Sequence, residues 1–190
     1  MVRHALLLVC ALLLFLGTAS STWASQAVYM SPRDLGDQAT LVVRGRVESV
    51  DSFWNGKHTK IFTRTRVAVD EAYKGGAASA IDLLQLGGVV GTVKVTVQGA
   101  LQWRVGEEVL VFAEPAGPAD FRVMGFAQGK FTIERDPATG AAYVEGPPLE
   151  GVTLVGAPAD RERARSSRRL TLEQFIGEAL SDSRNPEVER

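Results

Sequence analysis

Leu41-Val42-Val43-Arg44-Gly45-Arg46-Val47-Glu48-Ser49-Val50 decides the fold class of this chain. Leu41, Val43, Gly45 and Val47 alternate with Arg44, Arg46 and Glu48. Successive strand residues point to opposite faces, so this period of two predicts a strand with one buried and one wet face. A glycine inside such a pattern marks a bulge or sharp bend, as a strongly curved sheet requires.

The same texture continues outward. Ile61–Tyr73 places Thr63, Thr65, Val67 and Val69 on one side and Arg64, Arg66 and Asp70 on the other. Between the two strands stands Asn55-Gly56, a turn pair in which both residues accept positive φ. Ala80–Leu86 is a third strand, ended by Gly87-Gly88, and Thr92–Val97 alternates again. The unbroken apolar run Val109–Ala113 predicts a strand buried on both faces. Phe121–Phe126 and Lys130–Glu134 are two more, and Ala141–Val144 folds back after the turn at Asp136–Gly140. Six to eight short strands at this spacing predict a closed barrel or a sandwich. The 19 glycines suit tight turns and corners.

Two helical pieces flank the strands. Ser31-Pro32 has a cap residue followed by a proline at the first helical position. Near the other end, Thr171 and Gln174 form a capping box, and Leu170 with Phe175 a hydrophobic staple. Leu172, Phe175, Ile176, Ala179 and Leu180 share one face of an amphipathic helix over residues 170–182. A helix this short is marginal alone in water, so it docks on the barrel or on a partner. Residues 147–169 read as a linker, first rich in Pro and Gly, then in Arg. Asp160 and Glu162 interrupt its arginines and no aromatic interleaves them, so it reads as solvated rather than as a nucleic-acid patch.

The first 24 residues have another character. Arg3 precedes the apolar run Ala5–Leu16, and small and hydroxylic residues follow. These are the three parts of a secretory signal, and the run is too short to span a bilayer comfortably. Thr22-Trp23-Ala24 sets the expected cut between Ala24 and Ser25, with a cut after Ala19 as the second choice. Leu7-Leu8-Val9-Cys10 lacks the small residue that a lipoprotein site needs before its cysteine. The expected product is secreted or periplasmic, without a membrane anchor. Of 190 residues, 166 remain, enough for one barrel domain over 25–146 plus the linker and helix. The product has a formal charge of about −2 and no cysteine, which excludes disulfides and gives no electrostatic reason to expect nucleic acid.

Chemistry is sparse. His58 is the one histidine after the leader, so neither a structural nor a catalytic zinc set can be assembled from one chain. It sits near a turn, where a triad base lacks the shielding it needs. Glu107-Glu108 and Asp70-Glu71 are paired carboxylates, but neighbours on an extended chain face opposite ways. Gly87-Gly88-Val89-Val90-Gly91 lacks the Lys-Ser/Thr ending of a phosphate loop. No catalytic residue, cofactor or metal is therefore expected. Trp54 and Trp103, each beside a turn, are the candidate binding surface, or alternatively plugs at the ends of the barrel.

Ala39–Val47 followed by Val67–Gly75, with its Lys74-Gly75 ending, resembles the opening of netrin-like domains, a family that includes the tissue inhibitors of metalloproteinases. Gly106–Phe112 and Gly125–Phe131 are similar to segments of exported bacterial proteins of the same outline. The resemblance spans about residues 38–135 and implies an OB-like five-stranded barrel. It does not imply zinc chelation, because the expected terminus is Ser25 rather than cysteine. The expectation is a mainly β, OB-like closed barrel of five to seven strands plus a C-terminal helix. Its expected role is a non-catalytic module that binds an extracytoplasmic protein. The alternatives are a hydrolase using carboxylates that the sequence does not pair, and a structural envelope component.

Overall fold

A computed structural model describes residues 25–76, 78–147, 152–156 and 170–181. The expected leader, including Ala24, and the Arg-rich stretch lie outside the described residues, while Ser25 opens the first strand. In chain order the elements are β1 (Ser25–Val28), α1 (Pro32–Gln38), β2 (Leu41–Trp54), β3 (Ile61–Lys74), β4 (Ala80–Leu86), β5 (Gly88–Val90), β6 (Val93–Val95), β7 (Glu108–Pro115), β8 (Asp120–Val123), β9 (Lys130–Arg135), β10 (Ala142–Glu145), β11 (Val152–Val155) and α2 (Leu172–Ala179).

The protein is mainly β. Seven strands form one sheet in the order β10-β9-β7-β2-β3-β4-β8, and β8 also pairs with β7. Five strands, β7-β2-β3-β4-β8, thus make a ring, with β9 and β10 extending from β7. The hairpin β5–β6 and the parallel pair β1–β11 stand apart from this sheet. β2 bends to serve both β3 and β7, and its register with β3 shifts at Val42/Val43, Arg44/Gly45 and Val47/Ser49. Gly45 is the bulge that its place in the alternation predicts.

β7 divides the core in two. Val109, Val111 and Ala113 face inward with Leu41, Val43, Val47, Val67, Ile81 and Leu83. Leu110 and Phe112 face outward, under the helices. These five residues of β7, Val109–Ala113, are fully buried, as an apolar run without alternation predicts. Thr65, also fully buried, has no hydrogen-bond partner for its hydroxyl among the described residues. Thr65→Val keeps the shape and removes that desolvated group. We expect it to raise the unfolding free energy by about 1 kcal/mol, read from urea denaturation.

The helices cover the outer face of β7 and its neighbours. Thr171 and Gln174 close the capping box on α2, and Ser31 and Asp34 close one on α1. Leu172, Phe175 and Ala179 of α2 join Leu35, Val42, Phe112 and Val144 in one cluster, so α2 docks on its own chain. Gly36 lets the helices touch, since a Cβ there would collide with the Ala179 carbonyl oxygen. No helix among the described residues is long and apolar enough to cross a membrane.

Three local expectations need correction. The stretch 147–169 is not all linker, because Val152–Val155 forms β11, parallel to β1. Its short Val-Thr-Leu-Val alternation is hidden among the surrounding Pro and Gly residues. The strand expected over Phe121–Phe126 stops at Val123, where Met124–Gly129 turns sharply through left-handed Gly125 and Phe126. In the β2–β3 loop, positive φ falls on His58 rather than on Asn55-Gly56. Asn55 acts there through its side chain, whose Oδ1 accepts from the Thr59 and Lys60 amides.

Candidate functional site

The ring is weakest between β4 and β8. These strands run parallel and share only two rungs, Asp82–Asp120 and Leu83–Phe121. Each is fully occupied on its far side, β4 by β3 and β8 by β7. Beyond Leu83 and Phe121 the two strands part. A groove of about 340 Å3 opens there, lined by Leu83–Leu86 on one side, by Arg122 and Val123 on the other, and floored by residues 97–103. The chain between Leu86 and Val97 rises from its rim as the β5–β6 hairpin, with Val89, Val93 and Val95 exposed. Val93 and Val95 share one face of this hairpin, and Val89 lies on the other, opposite Lys94.

Two aromatics define the groove. Trp103 is held from two sides. Its Nε1 donates to Gln85 Oε1 at 3.3 Å, and Gln85 Nε2 donates to the Leu101 carbonyl at 3.0 Å. Lys130 Nζ lies 4.9 Å from the centre of its ring. Phe126, which also lines the groove, is 49% exposed and has φ of 71°. A bulky non-glycine residue in the left-handed region is strained by about 1–3 kcal/mol. An aromatic held there, half in water against the backbone of Gly99, is displayed rather than packed.

Under Trp103 lies a buried ion pair. Lys130 Nζ is 2.7 Å from Glu107 Oε1 and also donates to the Gln102 carbonyl at 2.9 Å. Thr132 Oγ1 donates to the same carboxylate oxygen, and the Arg104 amide donates to Oε2. Glu107 thereby ties the 102–104 segment, and Trp103 with it, to β9.

The adjacent Glu108 faces the other way, into Arg44 and Arg135 at 3.2 and 2.7 Å. These two neighbours thus part as an extended chain requires. Burial pushes the Glu107 carboxyl up, but hydrogen bonds from Lys130 and Thr132 outweigh it and hold it below the ordinary value. The Arg135 hydrogen bond does the same for Glu108 against a smaller opposing effect of burial. On acidification below the ordinary value of 4.5, the unfolded chain takes up protons that the folded chain still refuses. Stability is present above that pH and is lost as pH falls through the depressed folded values. The melting temperature is therefore expected to drop on acidification below about pH 4.5, and Glu108→Gln to flatten that drop.

The other sequence candidates lie elsewhere. Trp54, at the end of β2, stacks on His58 at 6.0 Å between ring centroids and does not line the groove. Glu71 accepts from the Tyr73 hydroxyl at 2.8 Å and pairs with Arg44. Burial, then the bond to Glu71, pushes the Tyr73 phenol up to about 12. Trp103 is the one candidate that belongs to the groove. Gln85 carried a legible signal, being a polar residue at the inward parity of Ile81 and Leu83. Phe126 carried none. No family model, curated protein or solved structure matches this chain.

Proposed function

We propose that this chain is an exported domain, an OB-like barrel of netrin-like outline, that acts without catalysis by binding a protein partner in the groove between β4 and β8. The observation that carries this reading is Phe126, a strained aromatic displayed at the wall of an apolar groove. Strain of this kind persists where the surrounding structure imposes it, and it clusters at functional sites. Trp103, fixed by Gln85 and Lys130, is a rigid anchor of the type that dominates binding energy. The ring of five strands and the bulged β2 support the OB-like part of the reading. The basic start, apolar run and small-residue exit of residues 1–24 support export.

The test is capture from extracytoplasmic extract by the purified protein, followed by affinity measurement with the protein recovered. Trp103→Ala and Phe126→Asn are each expected to weaken a stoichiometric partner by about 30-fold or more, as hot-spot residues do. Asparagine tolerates the left-handed region, so Phe126→Asn is expected to change stability by less than about 1 kcal/mol. A partner held equally well by both variants would refute the groove as the site.

A further inference from the structure

We propose that the groove takes its partner as an added strand, a short, extended, uncharged apolar segment that hydrogen-bonds along the free edge of β4. This rests on the groove being the binding site. Consecutive strand residues point to opposite faces. Leu83, Leu84, Gln85 and Leu86 nevertheless line the groove in succession. A cavity that meets four residues in a row looks at the edge of the strand, where its backbone groups lie, and not at either face.

The backbone groups there can be named. The Gly87 amide donates to the Ile61 carbonyl and the Val69 amide to the Ser79 carbonyl, each at 2.9 Å. Antiparallel pairs alternate between bonded and non-bonded. Ile81, Leu83 and Gln85 therefore turn their backbone to β3, and Leu84 and Leu86 turn theirs to the opposite edge. On β8, the Met124 amide donates to the Phe112 carbonyl and the Ala116 amide to the Asp120 carbonyl. By the same alternation Phe121 and Val123 face β4. The β4–β8 rungs end at Leu83–Phe121, so the backbone groups of Leu86 and Val123 face the groove with no rung to take them. An unpaired strand edge is a template for another strand.

Charge narrows the occupant. The two charged side chains that line the groove, Arg122 and Glu114, neutralise each other at 2.8 Å. The lip offers no net charge, and complementarity then selects a segment without charge. Side chains at alternate positions of that segment fall between Trp103 and Phe126. A lipid or small apolar molecule would fill the same walls but leave the Leu86 amide unbonded.

The experiment uses the purified protein and an array of random nonapeptides built from Ala, Val, Ile, Leu, Thr and Phe. The tightest binder is resynthesised with one N-methyl amide at a time. Strand addition predicts losses of roughly tenfold or more at alternate amides and little change at those between. Leu86→Pro removes a donor that does not serve β3, so it is expected to keep the fold and lose binding by a similar factor. Even tolerance of N-methylation, with binding still lost in Phe126→Asn, overturns strand addition and leaves the groove as the site. Binding indifferent to both Phe126 and N-methylation overturns both. An array without a binder at millimolar concentration overturns strand addition.

Discussion

Lys130→Met is expected to lower the unfolding free energy by about 3–5 kcal/mol, measured by denaturant titration. The lysine is 7% exposed and its partner Glu107 12% exposed. Methionine fills much of the space but leaves the Glu107 carboxylate dry and without its cation. It also frees the Gln102 carbonyl and removes the charge above the Trp103 ring. An unpaired buried charge costs far more than the intact pair contributes over an apolar replacement. Lys130→Met with Glu107→Leu is therefore expected to recover a large part of the loss. Recovery stays incomplete because Thr132 and the Arg104 amide still lack their acceptor. A single-variant loss under about 1 kcal/mol would mean that water reaches the pair. The consequence for function follows directly, since this lock holds the segment that carries Trp103.

Gly45→Ala is expected to cost about 3 kcal/mol or more, the upper end for overpacking a filled interior. A Cβ at this position would stand 2.0 Å from the Ala68 carbonyl oxygen and 2.9 Å from a Val67 methyl carbon. Backbone cannot yield as the end of a flexible side chain can. β2 and β3 would have to separate at the bulge that lets β2 serve both sides of the ring. Gly56→Ala, where an added Cβ meets nothing within 4 Å, is the matched control and is expected to change stability by less than about 1 kcal/mol. Equal stability of the two variants would show that the bulge is not needed.

The parts of the fold written locally were legible. Period two gave β2 and β3, the apolar run gave β7, and Gly45 marked the bulge because only backbone geometry calls for a glycine there. The capping box at Thr171–Gln174 placed α2, but not its seat, which depends on Gly36 more than a hundred residues earlier in the chain. The groove was not legible. It arises because β4 and β8, far apart in sequence, pair for two rungs and then diverge. Nothing within either strand records that divergence. Trp103 was visible as an aromatic near a turn, yet its role depends on Gln85 and Lys130, which the ring brings to it. Phe126 was hidden because its left-handed backbone is imposed by the Met124–Gly129 turn and not by its own preference.

Amide hydrogen exchange reads out whether this protein binds in the gap between β4 and β8. In the free protein the Leu86 and Val123 amides are expected to exchange quickly, since no rung protects them. With the partner or tightest peptide bound, both are expected to slow by roughly a hundredfold, while the β3-facing amide of Gln85 stays slow throughout. Protection that appears instead around Trp54 and the β2–β3 loop, with Leu86 and Val123 unchanged, would show that binding occurs away from the gap.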